Sequence, residues 1–261
     1  MGSATTQALA ASKVSLDAAS GISLDTAEEL FAAARLVGES SHLSGALADP
    51  SAPQAARQAV ISSVFGGYSA NTQDLLRKAV AERWSDAGQL VDGIEELAVR
   101  AASIADTDAD IEGELFAFSR VVAANPELEL ALGSKVGGAD AKVALVERLL
   151  GNAGAPTRLI VASLVRMPRG LRIRQLLSRA MNLVSDQRGR VVATVYSATA
   201  LNEAQRNRLS EALSARYGGR VSLNVVIDPT VVGGLRVQIA DDVIDGSISA
   251  RLADLRQKLA G

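Results

Sequence analysis

The stretch LFAAARLVGESSHLSGAL, starting at Leu30, recurs as LFAFSRVVAANPELELAL, starting at Leu115. Leu-Phe falls on Leu-Phe, Arg35 on Arg120, and His42-Leu43 on Glu127-Leu128. At the same offset ARQAVISSVFG (56–66) falls on AKVALVERLLG (141–151). Two copies of one helical unit therefore occupy most of the chain up to Ser185, with chance similarity between Ala- and Leu-rich helices as the competing explanation. The first copy has a leading helix that the second lacks.

The periodicity within each segment supports helices. LDTAEELFAAARLV sets Leu30, Ala33, Ala34 and Val37 on one stripe, with Asp25 or Thr26 as N-cap and acids in the first turn. APQAARQAVISSVFGG places Pro53 at the start and Gly66-Gly67 past the end, the usual asymmetry of helix termini. Leu75, Leu76, Ala79, Val80 and Trp84 share a face of the next helix, and Leu90, Ile94, Leu97 and Ala101 of the one after. A further segment, about Ala4 to Ala19, is helix-permissive but weakly patterned.

After SDQRGR (185–190) the period drops from 3.6 to 2. RVVATVYSA and RVSLNVVI read as strands on either side of a helix, which Asn202 caps with Gln205 and Gly218 ends. GLRVQI alternates Leu235, Val237 and Ile239 against Arg236 and Gln238, and a closing helix carries Ile248, Leu252, Leu255 and Leu259. The expected fold is mainly α with a small α/β C-terminal domain. It divides into a six-helix bundle at 1–105, a partial repeat at 110–185, and a β-α-β-β-α domain at 190–261.

Composition narrows the function classes. The chain has no Cys, one His and a formal net charge of −2, so disulfides, thiolate sites, His-pair metal motifs and bulk polyanion attraction have no basis. No window of eighteen apolar residues predicts a membrane span, and no basic region followed by an apolar run predicts a secretory leader. MGSATT matches the permissive myristoylation pattern, as Ala-rich starts often do.

The candidate chemical motifs fail on position. DTDADIEGE (106–114) would need Gly at its sixth position and Glu at its twelfth to hold calcium, and has Ile111 and Ala117. GSKVGG (133–138) lacks phosphate-loop spacing, and no serine has a histidine placed to activate it. Catalytic residues, cofactors and metals are therefore expected to be none. His42 is expected in a solvated turn between helices.

Charge is unevenly distributed. Eight arginines fall between Arg158 and Arg190 against one acid, while residues 86–129 hold eleven acids and two arginines. The basic stretch reads as a solvated face, as a dock for an acidic helical partner, or as a nucleic-acid patch. The last finds no aromatic residue in the stretch for base stacking. A helical adaptor or nucleic-acid-binding protein using Arg158–Arg190 remains the alternative function.

The C-terminal series is the most specific signal. Asp228-Pro229, Gly233-Gly234 with Leu235, and Asp245-Gly246-Ser247 ahead of a leucine-striped helix resemble the delta subunit of bacterial F-type ATP synthases, the oligomycin-sensitivity-conferring protein family. The segment VVATVYSATALNEAQRNRLSEAL resembles the same family's strand and helix entry. The duplicated helical region resembles the extended actinobacterial form.

That resemblance implies a non-catalytic peripheral-stalk, or stator, subunit that links the catalytic head to a b-type stalk and resists rotor torque. It implies the alpha subunits of the head, with beta subunits as further candidates, and b-type stalk subunits as partners. Membrane contact would come only through the complex, at the cytoplasmic face of the plasma membrane, and no nucleic acid is expected. By resemblance, the N-terminal bundle would bind amphipathic N-terminal helices of alpha subunits. Because such docking needs apolar faces, it is expected on the first and fifth helices, through Leu9, Val14, Leu75, Leu76, Ala79, Val80 and Trp84, with burial in the bundle core as the competing reading. The first copy would dock on the head and the second would space or brace the stalk. Gly233-Gly234 would allow a bulge or positive φ, and Ser247 or Asp245 would cap the closing helix.

Overall fold

The structure, a computed structural model, describes residues 2–134, 138–239 and 242–248. The chain forms two compact units, Met1–Leu183 and Val184–Gly261.

Among the described residues eleven helices build the first unit, with the division falling inside the last of them. They are α1 (Ser3–Asp17), α2 (Leu24–Glu39), α3 (Ser41–Ala48), α4 (Gln54–Val64), α5 (Ala70–Ala81) and α6 (Ala87–Ala105), then α7 (Ile111–Ala124), α8 (Pro126–Gly133), α9 (Ala139–Leu149), α10 (Ala155–Arg166) and α11 (Ile173–Gln187). The pairs α3/α8, α4/α9 and α5/α10 keep the offset of the sequence repeat at both ends. Their cores match as well: Leu30 and Leu115, Val37 and Val122, Leu47 and Leu132, and Ile61 and Val146 are all fully buried. Each such aliphatic side chain contributes about 1.5–3 kcal/mol by leaving water.

Local signals fix the helix starts. Ser23, rather than Asp25 or Thr26, is the N-cap of α2, because its hydroxyl accepts from Thr26 N while Thr26 Oγ1 accepts from Ser23 N in return. The acidic run resolves into turn and cap. Asp106 accepts from the Asp108 and Ala109 amides, and Asp110 caps α7 by accepting from Gly113 N. His42 lies in the first turn of α3, not in a connecting turn, and is exposed as expected.

One helix belongs to both copies. α1 packs against α5 and α6, closing the first bundle. The second copy has no leading helix of its own, and α6 packs against α10 as α1 packs against α5. Val91, Glu95 and Val99 of α6 are therefore buried along with Leu90, Ile94 and Leu97. A helix apolar on nearly every side has neighbours all around it.

The second unit is a four-stranded sheet with one crossover helix: β1 (Arg190–Ser197), α12 (Glu203–Tyr217), β2 (Arg220–Ile227), β3 (Leu235–Ile239) and β4 (Asp242–Asp245). The strand order is β2-β1-β3-β4, with β1 and β2 parallel and the other pairs antiparallel. Ala193, Val195, Val221, Val237 and Ile239 form its core, onto which Leu209, Leu213 and Tyr217 of α12 pack. Asn202 and Gln205 form the capping box of α12, and Gly218 ends it in the left-handed region at φ 72°. Periodicity missed β4, because four residues are too few for alternation to show. The positions Leu252, Leu255 and Leu259 of the expected closing helix lie outside the described residues.

Candidate docking surfaces

A clasp appears twice in the helical unit. The Glu29 carboxylate, on α2, accepts from Ser69 N at 3.0 Å, Ser69 Oγ at 2.6 Å and Thr72 Oγ1 at 2.5 Å, holding the N-terminus of α5. At the equivalent position of the second copy, Glu114 accepts from Gly154 N at 2.9 Å and from Thr157 Oγ1, holding the N-terminus of α10. Free N–H groups and the positive end of the helix dipole favour a carboxylate there. Burial alone would raise the Glu29 carboxyl, but the bonds from Ser69 and Thr72 outweigh it and hold it below its ordinary value.

A second repeated device ties the α4 and α9 helices down. Arg57 is buried and donates to the carbonyls of Asp49 at 2.9 Å and Ala81 at 3.1 Å. Lys142, its equivalent, is buried and donates to the carbonyl of Ser134, the equivalent of Asp49. Neither pairing was visible in the sequence, although the shared offset of Glu29/Glu114 and Arg57/Lys142 was there to be found.

Part of the basic stretch pairs with part of the acidic stretch. Arg169 pairs with Asp92 and, at 3.1 Å, with Glu95; Arg179 lies 3.7 Å from Glu96. Arg174 pairs with Glu129 at 2.7 Å and Arg166 with Asp140 at 3.1 Å. Four of the eight arginines are thus spent on acids of α6, α8 and α9. A continuous cationic face for phosphates is not what they form, which removes the ground for the nucleic-acid alternative. Glu95 is set deep in this cluster, and burial pushes its carboxyl above the ordinary value despite Arg169 and Arg179.

The seven residues singled out for docking divide sharply. Leu75, Leu76, Ala79, Val80 and Trp84 are between 0 and 3% exposed, packed inside the first bundle. Trp84 Nε1 donates to the Ala79 carbonyl at 2.8 Å, and its ring lies where a Cβ on Gly93 would stand. A partner could reach those five side chains only by opening the bundle. The apolar stripe of α5 faces inward because α1 and α4 both pack onto it. On α1, Leu9 is half-buried and Val14 is 67% exposed.

In the C-terminal unit the signature residues shape turns. Asp228 accepts from Thr230 Oγ1 at 2.6 Å and Thr230 N at 2.9 Å, which lower its carboxyl. Gly233 and Gly234 sit at φ 66° and 77°, the left-handed region where side chains are strained. Gly246 N donates to Leu235 O at 2.8 Å, closing the joint between β3 and the segment after β4. Asp245 accepts from Ser247 N at 2.9 Å, and the Ser247 bonds lower its carboxyl. The helix this turn was expected to cap lies outside the described residues. Pro229 and Leu235 flank the same loop, Pro229 exposed and Leu235 half-buried.

Among the described residues no group of His, Cys, Asp or Glu could hold a metal ion, and no helix is long and apolar enough to cross a membrane.

Comparison with known proteins agrees. Residues 96–259 match the family model described as "ATP synthase delta (OSCP) subunit". The chain is 47% identical, over the whole of both chains, to "ATP synthase subunit delta" of Leifsonia xyli subsp. xyli. It is 38% identical to the protein of that name from Streptomyces avermitilis, over 98% of each chain, and 36% identical to that of Streptomyces griseus subsp. griseus, over all of each. With the family model covering more than half of its length and the Leifsonia relative all of it, the chain belongs to the ATP synthase delta (OSCP) subunit family.

Proposed function

We propose that this chain is the peripheral-stalk subunit of an F-type ATP synthase, joining the catalytic head to a b-type stalk and resisting rotor torque during proton-driven ATP synthesis. The observation that carries this is full-length similarity to delta subunits. Its part is mechanical and non-catalytic. Residues 1–105 dock on alpha subunits, with beta subunits within reach, 110–185 brace the stalk side, and 190–261 grip the b-type subunits. The complex holds it peripherally at the cytoplasmic face of the plasma membrane, without nucleic acid.

Because Leu75, Leu76, Ala79, Val80 and Trp84 are interior, the docking face moves to α1. The outer surface of that helix, with Val14 exposed and Leu9 half-exposed, is the part of the proposed site that a partner helix can touch without unfolding the bundle. Isolation of the complex from membranes through a tag on this chain tests the reading. Head and stalk subunits are expected together, and recovery of neither would overturn it. Val14→Asp is expected to weaken binding to alpha N-terminal peptides without changing the melting temperature, whereas undiminished affinity would move the site off α1.

A further inference from the structure

The duplication allows one surface to be compared with itself. In the first copy a hollow of about 870 Å³ opens between α3 and the α5–α6 connection, with Gly45, Ala48 and Asp86 in its wall. The first two turns of α1, through Ser3, Ala4 and Gln7, form its third side. In the second copy a hollow of about 680 Å³ opens at the equivalent place, between α8 and the α10–α11 connection. Leu130, Gly133 and Leu171 stand there where the first copy has Gly45, Ala48 and Asp86. Among the described residues, those lining it come only from α8, Ser134 and that connection, so no second helix end walls it as the first turns of α1 wall the first hollow.

Two of the three replacements add apolar bulk, while Ala48 to Gly133 removes a methyl group. A glycine and an aspartate beside the first hollow are both leucines at the second, 74% and 43% exposed respectively. Small or polar residues suit a hollow already flanked by its own chain. Large apolar ones suit a hollow that something else closes. The charge at the lip also differs: where the first copy has Ala87, the second has Arg172, exposed. Its guanidinium has no acidic partner among the described residues, while its neighbour Arg174 is held by Glu129 at 2.7 Å. Glu129 Oε1, in the wall, is buried and receives no hydrogen bond from the described residues.

We propose that this second hollow is a docking site for the N-terminal turns of an amphipathic helix from another subunit of the complex. The helix places an apolar side chain between Leu130 and Leu171 and a first-turn carboxylate against Arg172. Both charge arguments select that end of a helix. Acids are favoured in the first turn, and the free N–H groups there supply the donor that Glu129 Oε1 lacks. In the first copy a helix end, the first turns of α1, already packs at the edge of the equivalent hollow. The site is separate from the α1 face assigned to the head, and rests on the proposed function only in requiring an assembled complex.

The test uses the full chain in the complex, isolated through a tag on another subunit, with p-benzoylphenylalanine replacing Leu130. Irradiation is expected to join it to one partner segment that reads as an amphipathic helix with Asp or Glu in its first turn. Arg172→Glu in the same complex sets like charges together and should lower the cross-link yield about tenfold or more. Cross-links confined to this chain, to lipid or to a segment without that pattern would overturn the proposal, as would a yield indifferent to Arg172→Glu. If the wild-type chain assembles and the probe-bearing chain does not, loss of assembly from a 74% exposed side chain marks an occupied site. If the wild-type chain is itself missing from the isolated complex, the stator reading fails and this site with it.

Discussion

Replacing each clasp carboxylate by alanine should give unequal losses, although the two clasps are equivalent by position. Glu29→Ala removes charge-assisted bonds from Ser69 and Thr72, but Ser69 Oγ still caps α5, accepting from Thr72 N and lying 2.9 Å from Thr72 Oγ1. Glu114→Ala leaves no such reserve. Position 154 is glycine, the cap residue of α10 makes no side-chain bond, and the fully buried Thr157 hydroxyl loses the carboxylate it donates to. A bond to a charged group contributes about 1.5–3 kcal/mol and an orphaned buried hydroxyl costs about 1–3 kcal/mol. With both carboxylates only part-buried, the lower ends apply: about 1.5 kcal/mol for Glu29→Ala and about 2–3 kcal/mol for Glu114→Ala. Urea unfolding followed by far-UV circular dichroism reads these directly. For a helical unit of this size, the second variant should also melt roughly 4–12 °C lower. Equal losses, or the larger loss at Glu29, would refute the assignment of Glu114 as the side chain that caps α10.

Other consequences follow from the same contacts. Residues 1–105 alone expose the α6 side chains Val91 and Val99, so this fragment should bind a hydrophobic dye and lose at least about 3 kcal/mol relative to residues 1–183; a fragment as stable as the longer chain would show that α6 is not shared. Gly234→Ala should destabilise the sheet unit more than Gly218→Ala, measured by hydrogen exchange at β3. Both glycines have positive φ, but only a Cβ at 234 meets backbone, at Gly246 O. Glu95 has a folded-state carboxyl value above its ordinary 4.5. The folded chain therefore binds that proton more tightly, and stability falls as pH rises from about 4.5 through the raised value. Glu95→Gln should flatten that part of the pH–stability curve, and an unchanged slope would exclude Glu95 as its source.

Much of the fold was legible because it rests on period and punctuation. The constant offset between the two copies anticipated matching helix bounds, and Asn202, Gln205 and Gly218 marked both ends of α12. The burial of the α5 stripe was not legible, for a physical reason. An apolar stripe at helical spacing looks the same whether it meets the bundle or a partner, and on α5 it meets the bundle. The pairing of Arg169 with Asp92 and Glu95 joins positions far apart in sequence, so composition could show the two charge blocks but not their contact. The clasps escaped for a related reason: Glu29 and Glu114 each look like an ordinary first-turn or surface acid until α5 and α10 are placed beside them.

The shared helix has a mechanical consequence. Two bundles joined only by the short Asp106–Asp110 connection would hinge there, since a loop resists bending far less than a packed core does. Here α6, nineteen residues and so about 28 Å long, runs through both packings. Bending the helical unit at its midpoint would have to bend that helix or pull Val91, Ile94 and Val99 from their neighbours. The ion pairs of Arg169 and Arg179 with Asp92, Glu95 and Glu96 add to this, since they lie across the junction between the copies. Being mostly shielded from solvent, they are weakened little by salt. Losing a leading helix in the second copy therefore does not leave a weaker bundle. It obliges that copy to borrow α6, and the borrowing turns two repeats into a single element able to carry load from one end to the other.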